Sequence, residues 1–325
     1  MKAFEFASPD SVADALKALA GAKDATVLSG GVDLVNRMKD YIDSPSRVVS
    51  VNQIKELSGI RGDASGGVTI GAATRIIDLL NNPAIKQSYP AVWASAADIG
   101  TPQIRNMSTV GGNLLQRPSC WYYRNGFGLL GVKDGKSLVR TGDNRYHAIF
   151  HTDGDALFVN PSMLAAALIA FNAQATIVGA NGKRTVAVAE LYRVPRTNED
   201  RELTVAQGEI LTEITLPGSP GKSATYIARE RAGEDWPLLT ASSHIQGDKA
   251  RIVLFGAAPI PYRCEAAEKA IAGKEINTET AAAAAEAAAQ GAKPLSMNGY
   301  KVSLVKTAVK RSLLSIVGQR YWEEG

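Results

Sequence analysis

Apolar residues recur at helical spacing in several stretches and gather into short runs between them. Val12, Ala15, Leu16 and Leu19 share one face of a helix over 11–21, which Ser8-Pro9-Asp10-Ser11 caps and Gly21 ends. Thr26-Val27-Leu28 predicts a strand, Ser29-Gly30-Gly31 a turn, 32–39 the start of a second helix and 47–51 the next strand, so 1–55 reads as a βαβ-like unit. The alternation continues with a strand over 67–70, a helical turn over 76–80 and a helix opened by Pro90. Residues 157–190 give strands and one apolar helix (SMLAAALIAF), and EILTEITL at 209–216 alternates as a strand.

Pro217-Gly218-Ser219-Pro220-Gly221 is the best linker candidate. Beyond it, 226–231, 240–246 and 251–257 suit strands, and 265–272, 280–290 and 303–317 suit helices, the middle one alanine-rich. Residues 117–155 differ from the rest. Trp121, Tyr122, Tyr123, Phe127, Tyr146 and Phe150 stand among Gly, Lys, Arg and Asp, which predicts a long ordered excursion and no regular element.

Composition narrows the function. The 325 residues suffice for two or three packed units, and 45% hydrophobic with 21% charged residues is a globular balance. Lys and Arg total 36 against 32 Asp and Glu, a net +4 that does not point to nucleic acid. Two cysteines, Cys120 and Cys264, exclude a disulfide scaffold and any site needing four local thiolates. The three histidines leave little for a metal site; His147 and His151 are four apart, but their surroundings are aromatic and turn-rich. No apolar run approaches the ~20 residues of a membrane span, and MKAFEFASPD is not a signal peptide. The chain is expected in the cytoplasm, or in the periplasm if exported attached to a partner.

Two Gly-Gly segments carry the candidate chemistry: Leu28-Ser29-Gly30-Gly31-Val32-Asp33-Leu34 and Thr109-Val110-Gly111-Gly112-Asn113-Leu114. Paired glycines permit positive φ and close backbone approach, and free N–H groups in such a turn suit phosphate. Two such loops can hold the two phosphates of a dinucleotide. Neither is a G-x-G-x-x-G fingerprint or a P-loop, so a nicotinamide Rossmann domain is not indicated.

LSGGVDLVNRMK, IGAATRIIDL, IGTPQIRNMSTVGGNLLQR, EILTEITLP and YIARERAGEDWPLLT, in that order, resemble the FAD-binding subunits of the molybdenum hydroxylases: xanthine dehydrogenase, carbon monoxide dehydrogenase and bacterial aldehyde oxidoreductases. RPSCWYYR and NRYHAIF are most similar to the aldehyde oxidoreductase type. The resemblance implies an α+β fold, a PCMH-type FAD-binding unit of two subdomains (1–55 and 56–217) followed by an α/β C-terminal domain (222–325). It implies FAD held by Leu28, Ser29, Gly30, Gly31, Val32, Asp33 and Leu34, by Thr109, Val110, Gly111, Gly112 and Asn113, and by the apolar Ile99 and Leu211. Arg105 is a candidate counter-charge or a surface ion pair, and Tyr192 falls where relatives place an aromatic near the ring.

Three positions depart from the family pattern. Val32 replaces a polar residue, a lost donor worth roughly 0.5–1.5 kcal/mol; Met163 stands where Asp is frequent; Ile227 stands where Lys is common. Relatives with the long excursion often hold a [4Fe–4S] cluster there, but Cys120 is its only cysteine here, so no cluster is expected in this chain. The resemblance further implies electron transfer, with no catalytic acid or base: a large subunit holds the molybdenum cofactor, a small subunit carries two [2Fe–2S] clusters, and FAD passes electrons to an external acceptor. Two other readings stay open. One is a stand-alone FAD oxidoreductase, disfavoured because no histidine lies near either loop for a covalent flavin link. The other is a cofactor-free scaffold, supported by Val32, Met163 and Ile227 alone.

Overall fold

The computed structural model describes residues 1–63, 66–218, 221–231 and 235–319. Ser219 and Pro220 of the linker candidate, and residues 232–234 of the ERAGEDW motif, lie outside the described residues.

The first unit is a small parallel sheet. Strand β1 (Glu5–Ala7), helix α1 (Val12–Ala20), β2 (Thr26–Leu28), α2 (Leu34–Lys39) and β3 (Arg47–Ser50) follow in turn, and both β1 and β2 pair with β3 in parallel. Ser11 caps α1 by accepting the Asp14 N–H at 3.1 Å, and Ala15 and Leu19 are the buried stripe of that helix. They pack with Val49, Val51, Ile54 and Leu57, and with Ala73 and Ile210 from farther along the chain, into one core.

A larger sheet follows. Strands β4 (Ile60–Gly62) and β5 (Val68–Gly71) precede a run of short helices: α3 (Ile76–Leu80), α4 (Pro83–Ser88), α5 (Pro90–Ala97), α6 (Pro102–Met107) and α7 (Val110–Leu114). Pro stands at the start of α4, α5 and α6, where its missing N–H costs no helical hydrogen bond. The excursion then runs largely without regular structure, interrupted by α8 (Trp121–Arg124), a tiny hairpin of β6 (Val132–Lys133) and β7 (Lys136–Ser137), and α9 (Leu138–Thr141). Helix α10 (Met163–Ala170) is buried at every position, as a helix apolar all round must be. Strands β8 (Gln174–Gly179), β9 (Gly182–Ala187) and β10 (Ile210–Leu216) complete a five-stranded sheet in the order β4-β5-β10-β8-β9, all neighbours antiparallel.

The last unit is an antiparallel meander, β11 (Lys222–Ala228), β12 (Leu239–Gln246), β13 (Lys249–Phe255) and β14 (Tyr262–Arg263), followed by α11 (Glu265–Ile271), α12 (Thr278–Ala288) and α13 (Tyr300–Ile316). Side chains alternate across this sheet. Leu239, Ala241, Ile252 and Leu254 pack with the three helices, whereas Val253 and Phe255 join the core of the five-stranded sheet. Ile227 packs against that same core, an apolar contact in place of the lysine expected there.

Candidate functional site

At the C-terminal end of β2 the chain leaves the parallel sheet, the usual place for a ligand loop in such units. The Leu28 carbonyl still accepts the Val51 N–H at 2.9 Å, and the Ser29 carbonyl accepts Asn52 Nδ2 at 3.1 Å. Beyond this point the N–H groups of Gly30, Gly31, Val32 and Asp33 meet no acceptor among the described residues. Gly31 adopts φ +74°, which only glycine takes without strain, and the turn gathers successive N–H groups into an anion-binding nest. Gly30 is required for a different reason. A Cβ there would lie 2.0 Å from the Met107 carbonyl oxygen, so its bare backbone is what lets the second loop approach.

The second segment is built differently from the expectation. Gly111 and Gly112 are not a free turn but belong to α7, capped by Thr109, whose Oγ1 accepts the Gly112 N–H at 3.1 Å. The Val110 N–H donates to Thr74 O at 2.9 Å, Gly111 to Ala72 O at 2.7 Å and Asn113 to Thr109 O at 2.8 Å. These donors are therefore committed within the protein. Gly111 is small because a Cβ would meet that of Ala72 at 2.9 Å. The two loops are joined side chain to side chain, Ser29 Oγ lying 3.0 Å from Thr109 Oγ1. Asn113 Oδ1 accepts the Ser162 hydroxyl at 2.8 Å, and Ser162 Oγ accepts the Ala165 N–H at 3.1 Å, which ties this loop to α10.

Both loops border one cleft of about 800 Å³, in the size range of cofactor sites, roughly 300–1,000 Å³. Ser29, Gly30, Gly31, Val32, Asp33, Leu34, Ile99, Thr109, Gly111, Gly112, Asn113, Leu211 and Met163 line it. Leu211 precedes a register shift in β10, where a bulge changes the direction of the strand's side chains. Two of the expected residues stand behind the wall: Leu28 is half-buried against the core of α2, and Val110 is fully buried in the main core. Tyr192 is not a cleft residue either. It is buried, and its hydroxyl donates to Leu114 O at 2.9 Å, propping the end of α7; burial pushes its pKa well up. Arg105 makes no ion pair among the described residues; its Nη1 donates to the carbonyls of Ile99 at 3.2 Å and Gly100 at 2.6 Å and fixes that turn.

The charges of the cleft were not legible in the sequence, apart from the i,i+4 spacing of Asp33 and Arg37. Asp33 pairs with Arg37, accepts Arg124 Nη2 at 2.7 Å and accepts the Arg117 N–H at 3.0 Å. Its carboxylate is thus neutralised beside the free N–H groups. Arg37 also pairs with Asp43 at 2.7 Å, and Arg117 grips Glu202 through Nε and Nη2 at 2.8 and 2.9 Å. Burial alone would lower the Arg117 pKa, but Glu202, with Tyr123 and Asp43, outweighs it and holds the guanidinium charged. Asp98 pairs with Arg229, and Asp98 and the exposed Trp236 also line the cleft.

In the excursion, Cys120 Sγ lies 3.2 Å from His147 Nε2, and His147 is buried beside Trp121 and Tyr122 with Nδ1 unpartnered. Burial raises the thiol pKa of Cys120, which makes it a poor nucleophile. Among the described residues no group of three or more His, Cys, Asp or Glu is placed to hold a metal ion, and no helix is long and apolar enough to cross a membrane.

Residues 2–219 match the family described as the FAD binding domain in molybdopterin dehydrogenase, and residues 224–316 match the CO dehydrogenase flavoprotein C-terminal domain. The chain is 28% identical over 325 residues to the aldehyde oxidoreductase FAD-binding subunit PaoB of Escherichia coli (strain K12), covering 98% of each protein. It is also 28% identical to the 6-hydroxypseudooxynicotine dehydrogenase complex subunit alpha of Paenarthrobacter nicotinovorans, covering 95% of this chain and 93% of that one. Its fold superimposes on a chain of the carbon monoxide dehydrogenase of Hydrogenophaga pseudoflava with a TM-score of 0.75 at 27% identity, covering 98% of both.

Proposed function

Because this chain belongs to the FAD-binding subunits of the molybdenum hydroxylases, we propose that residues 29–34 hold the diphosphate of FAD and that the cleft beyond them holds the rest of the cofactor. One observation carries the reading: four successive N–H groups, at Gly30, Gly31, Val32 and Asp33, have no acceptor among the described residues and border a cleft of about 800 Å³. A diphosphate would satisfy them. Val32 removes a side-chain donor but leaves its own N–H free, so the departure from the family pattern weakens the cradle without abolishing it.

Bound FAD would supply two-electron redox chemistry; the chain contributes the binding, the orientation and the surrounding charge. Ile99, Met163 and Leu211 offer an apolar wall that excludes water, and Thr109 and Asn113 contribute polar groups from the second loop. The catalytic subunit of such a complex would hold the molybdenum cofactor and oxidise the substrate. A [2Fe–2S] subunit would deliver the electrons that this chain passes to an external acceptor. The compartment follows that of the partners, cytoplasmic or, by shared export, periplasmic.

The visible spectrum of the purified chain, with iron analysis of the same sample, tests this. A flavin spectrum with FAD released on denaturation and no iron is expected. A colourless chain that takes up no added FAD overturns the proposal.

A further inference from the structure

Among the described residues, the cleft holds one cation without an ion-pair partner. Arg37 is paired with Asp33 and Asp43, and Arg117 with Glu202. Arg201 lines the same cleft, yet it makes no ion pair and its side chain donates no hydrogen bond among the described residues. Its side chain is exposed, within electrostatic reach of Arg117 and Arg37. Burial first, and then those two charges, push its pKa below the ordinary value, with Glu202 and Asp43 acting the other way. An anion bound in the cleft would offset the repulsion from Arg117 and Arg37.

The backbone holds Arg201 in place independently of its side chain. The Arg201 carbonyl accepts Arg193 Nε at 2.6 Å, the Arg193 N–H donates to Glu202 O at 3.0 Å, and Leu203 bridges to Tyr192. Arg201 and the free N–H groups of residues 30–33 border the same cleft.

We propose that Arg201 is the side-chain cation that binds a phosphate of the dinucleotide in this cleft, opposite the free N–H groups of residues 30–33. The proposal rests on the reading of the cleft as an FAD site and adds the residue that gives its diphosphate a formal counter-charge. Arginine suits the task, because its planar fork donates two parallel hydrogen bonds to phosphate oxygens and stays charged. The role that spacing suggested for Arg105 falls to a residue almost a hundred positions later, on a different element.

The test titrates the flavin-free full chain with FAD, riboflavin and ADP, comparing wild type with Arg201→Gln and Arg201→Lys. Loss of a charge-assisted contact should weaken FAD and ADP binding by roughly ten- to a hundred-fold in the Gln variant, with riboflavin affinity unchanged. The Lys variant should recover part of the loss. The ligand-free Gln variant should melt at the wild-type temperature or above it, since a cation repelled by Arg117 and Arg37 has been removed; a structural role would lower it. Unchanged FAD affinity in Arg201→Gln, or an equal loss for riboflavin, overturns the proposal. A wild-type chain that takes up no FAD but binds ADP through Arg201 overturns the flavin reading alone, and one that binds neither overturns both.

Discussion

The hydroxyls of Ser29 and Thr109 lie 3.0 Å apart, joining two loops whose residues are 80 positions distant in the chain. Thr109 also caps α7 through the Gly112 N–H, so a single oxygen fixes the second loop internally and against the first. Thr109→Ala removes both interactions and should destabilise the chain by about 1–2 kcal/mol, the range of a lost N-cap, while Ser29→Ala should cost about 0.5–1.5 kcal/mol. If the link positions the loops for the cofactor, both variants also weaken FAD binding, and Thr109→Ser restores it. Denaturant melts combined with flavin titration separate the two effects.

Gly30 tolerates no side chain because of its neighbour, not because of its own backbone angles. A methyl group there would lie 2.0 Å from Met107 O and 2.8 Å from the Met107 carbonyl carbon, so the two loops must part. Gly30→Ala is expected to abolish FAD uptake while leaving the far-UV circular dichroism close to wild type, since the three sheets do not depend on that approach. Retained flavin at wild-type stoichiometry would count against the loop packing described here.

The buried imidazole of His147 makes stability depend on pH. Burial, and then the Lys301 charge, push its pKa from 6.5 down to about 4, with Asp143 and the Asn144 backbone acting weakly the other way. The unfolded chain therefore binds a proton between these values that the folded chain refuses, and stability falls as pH drops from about 6.5 to about 4. At 1.36 kcal/mol per pKa unit the whole loss is roughly 3 kcal/mol. His147→Phe keeps an aromatic ring between Trp121 and Tyr122 and removes the titration. Wild type should lose more stability than this variant between pH 7 and pH 4.5 in urea melts, and parallel losses would refute the assignment.

Lys301 fastens the excursion to the last unit. Its buried Nζ donates to the carbonyls of Tyr146 at 2.8 Å, His147 at 3.0 Å and Gly256 at 2.8 Å, and Asn298 Nδ2 adds His147 O and Ala148 O at 3.1 Å each. Lys301→Met leaves the Tyr146 and Gly256 carbonyls without this donor, at about 1–3 kcal/mol for each buried group left unmade. Expected outcomes are a lower denaturation midpoint and faster proteolytic nicking within residues 117–155. An unchanged nicking rate would mean that the excursion is held by other contacts.

Local signals settled a good part of this protein in advance. The spacing of Val12, Ala15, Leu16 and Leu19, the caps around α1, the strands at 26–28 and 47–50 and the all-apolar α10 follow from short-range periodicity, which a sequence records directly. The glycine pair at 30–31 marked the first loop correctly, because positive φ at Gly31 is a local demand. Strands β1 and β4 went unseen: each is three residues long and largely exposed, too short to show a period.

What the tertiary structure decided is which polar groups remain available. The second glycine pair looks like the first in sequence, but its donors are taken by Ala72, Thr74 and Thr109, and pairing across distant segments leaves no local trace. The same holds for charge. Arg105, Arg117 and Arg201 are alike as residues, and only the fold gives the first two carbonyls and a carboxylate while leaving the third facing its own kind. Hydrogen bonds and ion pairs are satisfied in three dimensions, so the family and the loops could be read from order and spacing, whereas the free donors and the open cation of the cleft required the packed chain.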